Sequence, residues 1–513
     1  MRRLVVALAL LSSVGLLAQA AAARNPDGRD FGGAVFSAGV SGDDGPGLAI
    51  FDSARPALDA LVRVSTDNGV TAPLSAEELS TSGRVFLDSE TEPWVDVNPS
   101  NASNIVGMFQ EDRWSTGGAR NLVFGTSFDG GQTWQNIPLQ GVGIVAGGAF
   151  QRVTDPWVDF GRGNRVYATS LAFDDTGPDN AIFVHTSTDG GLTWPQTAEV
   201  IRDTDFAFFN DKQALVADDF SASPFRGNVY ITWDRLIDKS GNPFAGNFTG
   251  PAMFSRSTNG GRTFSTPRVI FDTGINEQTI GNVPIVLPNG TIVVGGTFFE
   301  NKAISAEKNH ALFFVTRSTD GGLTWSQPAL VQDEKAAVVR GIRSGDTVPT
   351  LAVDRRNGKL YAVWQDVRFS GGKRNDILLI SSSDGGLDWS APVKVNDTPA
   401  GAQDAFTPTV QVDANGRVAV LYYDLRDDDP KDAALMTAEW IAFSNDGGQT
   451  FGPSTRVTPP FDHRAAAFAG GFFLGDYQGL GVAGDTFVPF FGANLVPQAN
   501  GQLGSDIFST RVR

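Results

Sequence analysis

The chain has 513 residues, no cysteine, only three histidines and a formal net charge of −17. The lack of cysteine excludes disulfides, thiol catalysis and cysteine-ligated zinc, and so few histidines argue against a histidine-rich metal centre. A surface this acidic repels nucleic acid and anionic membranes, so we expect no nucleic-acid partner. The 59 glycines, 27 prolines and 37 phenylalanines favour many short strands joined by tight turns.

Residues 1–20 have the three parts of a secretory signal. Arg2 and Arg3 form a basic start, residues 4–17 are apolar, and residues 18–20 (AQA) match a cleavage site. The alternative is a membrane anchor, but an apolar run of about fourteen residues is too short to span a bilayer comfortably. No later segment has a transmembrane pattern. We therefore expect a secreted or periplasmic protein without a membrane span after cleavage.

One octapeptide recurs six times, with copies that begin at residues 127, 187, 257, 318, 382 and 444. They read SFDGGQTW, STDGGLTW, STNGGRTF, STDGGLTW, SSDGGLDW and SNDGGQTF. Asp-Gly-Gly between extended flanks indicates a hairpin turn, because glycine accepts positive φ and a carboxylate accepts hydrogen bonds from turn amides. We assign a structural role to the third residue of every copy: Asp129, Asp189, Asn259, Asp320, Asp384 and Asp446.

Each period of 60 to 70 residues contains four short strand patterns around its octapeptide. This predicts an all-β fold, a β-propeller with four antiparallel strands per blade. Seven repeat starts favour seven blades, and the six octapeptides leave six blades as the alternative. The last repeat lacks a fourth strand, and residues 84–89 (RVFLDS) resemble the fourth strand at 268–273 (RVIFDT). We therefore predict an extension at 21–80, partly ordered, and a propeller at 84–513 whose ring is closed by the N-terminal strand 84–89.

The octapeptides and their period resemble the Asp-box, or bacterial neuraminidase repeat, proteins of the sialidase-like superfamily. The resemblance covers roughly residues 84–513, and it implies a propeller fold and a glycan or glycoconjugate as partner. This superfamily includes exo-sialidases, other glycan-active enzymes and non-catalytic binding propellers, so the fold does not fix the function. Sialidases of this kind are implied to use an arginine triad, a Tyr nucleophile with a Glu, and an Asp as acid and base. The F/Y-R-I-P motif that goes with them is absent, so the triad cannot be transferred residue by residue.

Four loops between the second and third strands carry an Asp with an Arg one or two residues later. In one interpretation these arginines converge on a cleft and bind a substrate carboxylate, for which the guanidinium is well suited. In the other, each arginine pairs with its own Asp and stabilises the loop. The repetition with the blades favours the local pairs, and we expect one or two of the four to face a ligand. The arginines are Arg113, Arg235, Arg368 and Arg426.

Acidic residues stand close to the predicted first strands. They could form a ring at the axis that holds a cation or supplies a general acid, or they could be solvated loop charges. The members are Glu92, Asp155, Asp211, Asp346, Asp404 and Asp476. Beside Asp476, Tyr477 opens the last repeat, and it is either a nucleophile with an adjacent carboxylate or a packing residue.

These patterns lead to three functional hypotheses. The first is a secreted glycoside hydrolase of the exo-sialidase type that acts on terminal sugars, acidic ones included, with Tyr477, Asp476 and Asp155 as catalytic residues. It needs no cofactor, although a structural or axial cation such as calcium stays open. The second is a non-catalytic propeller that binds a glycan or a protein. The third is a polysaccharide lyase with His310 or Tyr477 as its base. The oligomeric state is not predicted.

Overall fold

The computed structural model describes residues 56–66, 72–239, 247–301, 309–399, 403–497 and 502–513. Within these ranges the structure is almost entirely β, with one helical turn, α1 (Ala76–Leu79), and 3₁₀ turns at Ile144–Ala146, Arg368–Ser370 and His463–Ala465. Among these described helices, none is long and apolar enough to cross a membrane. The predicted signal at 1–20 lies outside the described residues, as does the extension as far as residue 55.

The strands follow the repeat that the octapeptides predict. Two short strands come first, β1 (Val62–Arg63) and β2 (Val85–Phe86). The first unit is β3 (Thr91–Val97), β4 (Ile105–Trp114), β5 (Ala119–Ser127) and β6 (Gln135–Pro138). The second is β7 (Arg152–Phe160), β8 (Val166–Phe173), β9 (Asn180–Ser187) and β10 (Gln196–Asp203). The third is β11 (Phe208–Ala217), β12 (Val229–Asp238), β13 (Phe248–Gly250), β14 (Ala252–Ser257) and β15 (Arg268–Phe271).

The later units keep the same order. The fourth is β16 (Glu277–Val286), β17 (Ile292–Asn301), β18 (Asn309–Ser318) and β19 (Ala329–Glu334), followed by β20 (Ile342–Arg343). The fifth is β21 (Thr350–Val353), β22 (Leu360–Asp366), β23 (Asp376–Ser382) and β24 (Val393–Lys394). The sixth is β25 (Ala405–Val412), β26 (Val418–Asp424), β27 (Met436–Ser444) and β28 (Thr455–Arg456), followed by β29 (Phe461–Asp462) and β30 (Phe472–Phe473). The chain ends with β31 (Gly479–Ala483), β32 (Thr486–Ala493) and β33 (Asp506–Ser509).

The strands within each unit pair antiparallel, and the octapeptide joins the last two strands of each of the first six units. The first strands of successive units contact one another in chain order, and β31 also contacts β3. This arrangement is propeller-like. The largest core cluster lies between the units and includes Trp157, Trp233 and Trp364. Trp94 stacks on Trp157 with ring centroids 3.5 Å apart.

The last sheet takes a strand from the N-terminal part of the described chain. β1 pairs antiparallel with β33, and Val62 lies opposite Ser509. The prediction that residues 84–89 fill this place is wrong, because β2 pairs with β4 instead and Val85 lies opposite Trp114. Burial explains the choice: Val64, just after β1, packs among the side chains of the last sheet and the first unit. β1 thus lies within the segment that the sequence assigned to the extension.

The octapeptide turns have the predicted hydrogen bonds. In the first copy, Asp129 Oδ1 accepts from the backbone N–H groups of Gln132 and Thr133, both at 2.9 Å. The Thr133 hydroxyl donates to Asp129 Oδ2 at 2.7 Å. In the third copy Asn259 accepts from the Thr263 N–H at 3.0 Å and donates to the Thr263 hydroxyl at 2.7 Å. The amide therefore supports the same turn, as expected.

Most first strands share a bulge that the sequence did not reveal. The strand register shifts between Thr91 and Trp94, and again between Thr154 and Trp157. Similar shifts interrupt β11, β16 and β25. A residue with positive φ stands at each bulge, a conformation that is costly for residues other than glycine and often marks functional sites. The φ values are 52° for Glu92, 54° for Asp155, 46° for Lys212, 63° for Gly281 and 47° for Thr407.

Candidate active site at the bulges

A narrow pocket opens beside these bulges and encloses about 50 Å³. It collects charged side chains from the beginnings of several first strands and from the loops beside them. We call it the axial pocket. Its acidic lining residues are Glu92, Asp155, Asp211 and Asp476, and its basic ones are Arg113, Lys212 and Arg343. Acidic and basic side chains therefore share one pocket, and Glu92, Asp155, Arg113 and Lys212 are buried there.

A hydrogen-bonded chain links two of the carboxyl groups. Gln110 Nε2 donates to Glu92 Oε2, and it donates to the Thr154 hydroxyl at 2.8 Å. That hydroxyl donates to Asp155 Oδ1 at 3.1 Å. The backbone N–H of Lys212 donates to Asp155 Oδ2, also at 3.1 Å. The bulges thus hold Glu92 and Asp155 in fixed orientations within one network.

Glu92 is a carboxyl group held in its neutral form. Burial raises its pKa to about 8, and the charges of Asp155 and Asp476 contribute to the rise. Arg113 and Arg343 oppose the rise but do not cancel it. At neutral pH the Glu92 carboxyl therefore carries a proton that it can donate. Burial likewise raises the pKa of Asp211 well above its ordinary value.

Asp476 forms a bidentate ion pair with Arg343. Arg343 Nε donates to Asp476 Oδ1 at 3.0 Å, and a second nitrogen contacts Asp476 Oδ2. The guanidinium groups of Arg343 and Arg113 both lie over the Phe473 ring, 4.5 and 4.6 Å from its centroid. Arg113 donates to Gln110 Oε1 at 2.6 Å, and burial lowers its pKa to about 10. Arg113 and Arg343 therefore flank one side of the pocket.

Tyr477, expected as a nucleophile, is a packing residue in this structure. Its hydroxyl donates to the Pro156 carbonyl oxygen at 3.2 Å, and its side chain is buried. Its ring lies edge-on to Trp94, and the Lys212 ammonium lies 3.5 Å from the ring centroid. Burial raises the pKa of the phenol well above its usual value. A phenol in this position is a poor nucleophile, so the packing interpretation is the one that the geometry favours.

The four predicted substrate arginines do not come together. Arg113 lines the axial pocket. Arg368 pairs with Asp366 through two bonds of 2.8 Å, and Arg426 pairs with Asp424 at 2.8 Å. Arg235 pairs with Asp203, with Nε 3.0 Å from Oδ2. The local Asp–Arg interpretation thus describes Arg368 and Arg426, and Arg235 is held by a more distant acid.

The predicted acidic ring is partly assembled. Glu92, Asp155, Asp211 and Asp476 line the pocket. Asp346 lies close enough to Asp476 for that charge, after burial, to raise the Asp346 pKa to about 6. Asp404 instead accepts from the Asn375 backbone at 2.7 Å. His310, the predicted lyase base, lies 3.3 Å from Glu300 and 3.2 Å from Asp333 and is not among the residues that line the pocket.

Sequence reasoning missed two cations of the pocket, Lys212 and Arg343. Lys212 follows Asp211, which the sequence did single out, but no other repeat carries a lysine at the matching place. Arg343 belongs to β20, which pairs in parallel with β30 outside the repeating units. Because neither residue has a periodic counterpart, the repeat gave no signal for them.

Carboxylates that could bind a cation lie elsewhere among the described residues. Asp88, Glu111 and Asp112 offer oxygen atoms within 4.8 Å of one another. One of them is already engaged, since Asp112 Oδ2 accepts from Arg120 at 3.0 Å. In the axial pocket, by contrast, cationic side chains stand between the acids.

The sequence model of the BNR repeat-like domain matches residues 239–407, which carry the third, fourth and fifth octapeptides. This match confirms the resemblance to Asp-box proteins. A comparison with curated proteins found no match.

Solved structures with a similar fold come from several organisms. The Hadza microbial sialidase Hz136 is 16% identical over 79% of this chain and 73% of its own, with a TM-score of 0.45. An α-L-arabinanase of Penicillium chrysogenum is 11% identical over 89% and 98%, with a TM-score of 0.44. The leech intramolecular trans-sialidase is 11% identical over 84% and 93%, with a TM-score of 0.42.

Proposed function

We propose that the protein is a glycoside hydrolase that acts at the axial pocket on terminal sugars of glycans. The observation that carries this proposal is the pair of carboxyl groups that one hydrogen-bonded chain links, of which Glu92 has a raised pKa. Glu92 holds a proton at neutral pH, whereas Asp155 accepts hydrogen bonds from two donors, Thr154 and the Lys212 backbone. Glycoside hydrolysis needs one carboxylic acid and one carboxylate at the scissile bond.

In this mechanism Glu92 protonates the glycosidic oxygen as its bond to the anomeric carbon breaks. The Asp155 carboxyl group stabilises the positive charge that develops on the sugar ring. Asp155 accepts the proton of the water molecule that replaces the leaving group. Gln110 and Thr154 are positioning residues, because they hold the two carboxyl groups in one network.

The basic side chains of the pocket favour an acidic sugar. The lining combines three basic side chains, Arg113, Lys212 and Arg343, with four acids, and burial raises the pKa of two of these acids, Glu92 and Asp211. Within a chain of net charge −17, such a local cluster of basic side chains is what a substrate carboxylate requires. Arg113 is the candidate ligand for that carboxylate, because Arg343 is already paired with Asp476.

The proposal keeps the blade number and the export that the sequence predicts, and it replaces residues 84–89 with β1 as the closing strand. We propose a closed ring of seven blades, with β1 to complete the last one, and export directed by residues 1–20. The contact of β31 with β3 and the pairing of β1 with β33 support the ring. A closed ring has no exposed sheet edge of the kind that leads to aggregation.

The test is a panel of fluorogenic sialosides, uronides and neutral glycosides, measured with the parent protein and four variants. Glu92→Gln and Asp155→Asn should lose hydrolysis, and Arg113→Ala should raise KM for acidic sugars more than for neutral ones. Arg368→Ala is the matched control, an arginine in the corresponding loop of another unit that pairs locally. Hydrolysis that survives both carboxyl substitutions would overturn the proposed site.

The narrowness of the pocket favours a second candidate, a non-catalytic glycan-binding propeller. A volume of about 50 Å³ admits only part of a sugar ring, whereas ligand pockets commonly measure roughly 300–1,000 Å³. In that case a glycan array would show binding, and the fluorogenic panel would show no turnover with the parent protein.

A further inference from the structure

A larger cavity lies at the other end of β7, between the second and third units. It measures about 360 Å³, within the usual range for ligand pockets of roughly 300–1,000 Å³. We call it the arginine cleft. Its polar lining includes Arg162, Arg165, Tyr167, Asn228, Asn259 and Arg262. Asp155 lines the axial pocket, and Gly161, six positions later and just beyond the end of β7, lines the arginine cleft. At the rise of a β-strand this separation places the cleft about 20 Å from the axial pocket.

The arginines of the cleft have no carboxylate partner within the described part of the chain. Arg165 donates to the Gly260 carbonyl oxygen at 3.1 Å. Arg162 and Arg262 are exposed, and neither side chain takes part in an ion pair among the described residues. Asp218 is the one acid in the lining, and it is buried and accepts a bond from Ser223. Three arginines therefore line one cavity, and none of them forms an ion pair among the described residues.

The equivalent position between the fifth and sixth units also has a cavity, which allows the charges of the two cavities to be compared within one molecule. The cavity there measures about 230 Å³, and its cations are Arg356, Lys359 and Arg417. Two of them are neutralised, because Arg356 lies 2.8 Å from Asp354 and Arg417 lies 3.2 Å from Asp413. We call this counterpart the paired cleft.

Two differences explain why the arginine cleft keeps its positive charge. Gly161 occupies the position that Asp354 occupies in the paired cleft. Each of these two residues directly follows a first strand, and its N–H donates to the carbonyl oxygen of the residue just before the second strand. Asn259 stands where the other five octapeptides have Asp. Both changes remove a carboxylate from the neighbourhood of Arg162 and Arg262. The loss of acids at two separate positions is not required for folding, because the paired cleft folds with both.

We propose that the arginine cleft is a second binding site, which holds a sugar through an oxyanion group, a sulfate ester or a uronate carboxylate. Guanidinium groups bind such oxyanions through two parallel hydrogen bonds. Asn228 lies in the same lining, and its amide, which donates one hydrogen bond to the Tyr230 hydroxyl at 3.1 Å, has a second N–H and a carbonyl oxygen suited to sugar hydroxyls. The site is on the face opposite the axial pocket, so it binds a separate glycan segment from the one that the proposed function places there.

The test is isothermal titration calorimetry on the full chain with a sulfated disaccharide, a galacturonic acid trimer and inorganic sulfate. Binding of at least one saccharide is expected, and it should weaken as ionic strength rises. The double variant Arg162→Ala/Arg262→Ala should weaken that binding by at least about tenfold, because it removes two charge-assisted donors from exposed positions. The matched control is Arg356→Ala in the paired cleft, which should bind as the parent does.

Asn259→Asp is the variant that separates charge from folding. It restores the residue that the other five octapeptides carry, so the turn should form at least as well. The added carboxylate should weaken saccharide binding by about three- to fivefold. Three results would each overturn the proposal: no saccharide binding by the parent, equal binding by the double variant, or binding of inorganic sulfate alone. Hydrolysis plays no part in the readout, so failure here is distinct from failure of the proposed function.

Discussion

The two ends of β7 place charged residues in opposite environments. At the start of the strand, Asp155 is buried among other charged groups, and the neighbouring Glu92 holds a proton because of that burial. Beyond its end, Arg162 is exposed and unpaired within the described chain. Burial changes protonation, which is useful for proton transfer, whereas exposure preserves full charge, which is useful for binding. One strand thus connects a region suited to chemistry with a region suited to recognition.

The largest expected effect comes from Glu92→Gln. The amide keeps the shape of the protonated carboxyl group but cannot donate a proton, so kcat should fall by about 10²- to 10⁴-fold. Steady-state kinetics on the best substrate of the panel would measure the fall. Saccharide binding at the arginine cleft should not change, and a parallel loss at both ends would show that the two regions are not independent.

Arg343→Ala tests how strongly the buried end depends on charge balance. The side chains of Arg343 and Asp476 are 20% and 15% exposed, so loss of one partner leaves a poorly solvated charge and should cost about 2–4 kcal/mol of unfolding free energy. Urea denaturation would measure the cost. The double variant Arg343→Ala/Asp476→Asn should recover part of it, and a double variant less stable than the single one would contradict the charge argument.

The pH dependence of stability should differ between the parent and Glu92→Gln. The folded-state pKa of Glu92, about 8, exceeds its ordinary value of 4.5, so the folded protein retains a proton that the unfolded chain releases. The contribution of Glu92 to stability is therefore present below pH 4.5 and is lost as pH rises to about 8. Glu92→Gln should gain stability relative to the parent over that window in denaturation series. A constant difference from pH 4.5 to 8 would contradict the raised pKa.

Hydrolysis by the parent should decline for the same reason. Above pH 8 the protonated fraction of Glu92 falls about tenfold per pH unit, and kcat should follow it. Oxyanion binding at the arginine cleft should stay constant to well beyond that pH, because arginine remains charged. A pH profile of both activities on one preparation would measure this contrast.

Tyr477→Phe should have the smallest effect. The substitution removes only the hydrogen bond to the Pro156 carbonyl oxygen, which should cost about 1 kcal/mol of stability. The ring contacts with Trp94 and Lys212 remain, so kcat should change by less than about threefold. A loss comparable to that of Glu92→Gln would restore Tyr477 as a catalytic residue.

The repeating parts of the fold were predictable because their interactions are local. Asp129 and its equivalents bond within four residues of themselves, so the octapeptide alone determines the turn. The pairing of Arg368 with Asp366 is equally local and was anticipated as one alternative. The pairing of β1 with β33 was not anticipated, because two short segments of similar pattern, β1 and residues 84–89, could each pair with the edge of the last sheet. Only packing of Val64 against distant strands distinguishes them.

The candidate site was predictable only in part. Glu92, Asp155, Asp211 and Asp476 were recognised because acids recur near the first strands. The raised pKa of Glu92 could not be anticipated, since it depends on burial and on the charges of other residues, among them Arg343, which is more than 200 positions from Glu92 in the sequence. The local positive charge of the arginine cleft also escaped notice, because it results from what is missing at Gly161 and Asn259 rather than from a motif.

The pairing of β1 with β33 has a consequence for biogenesis. The β1 segment must wait for residues that are synthesised more than 440 positions later, since Val62 lies opposite Ser509. Until β1 and β33 have paired, the last sheet has an exposed edge, and pairing between strands so far apart in the sequence is slow. Further backbone bonds join the same two regions, from Ala57 to Arg513 and from Asp59 to Arg511. A chain released before residue 506 would therefore lack β33, the pairing partner of β1, and we expect such truncated chains to be targets for proteolysis.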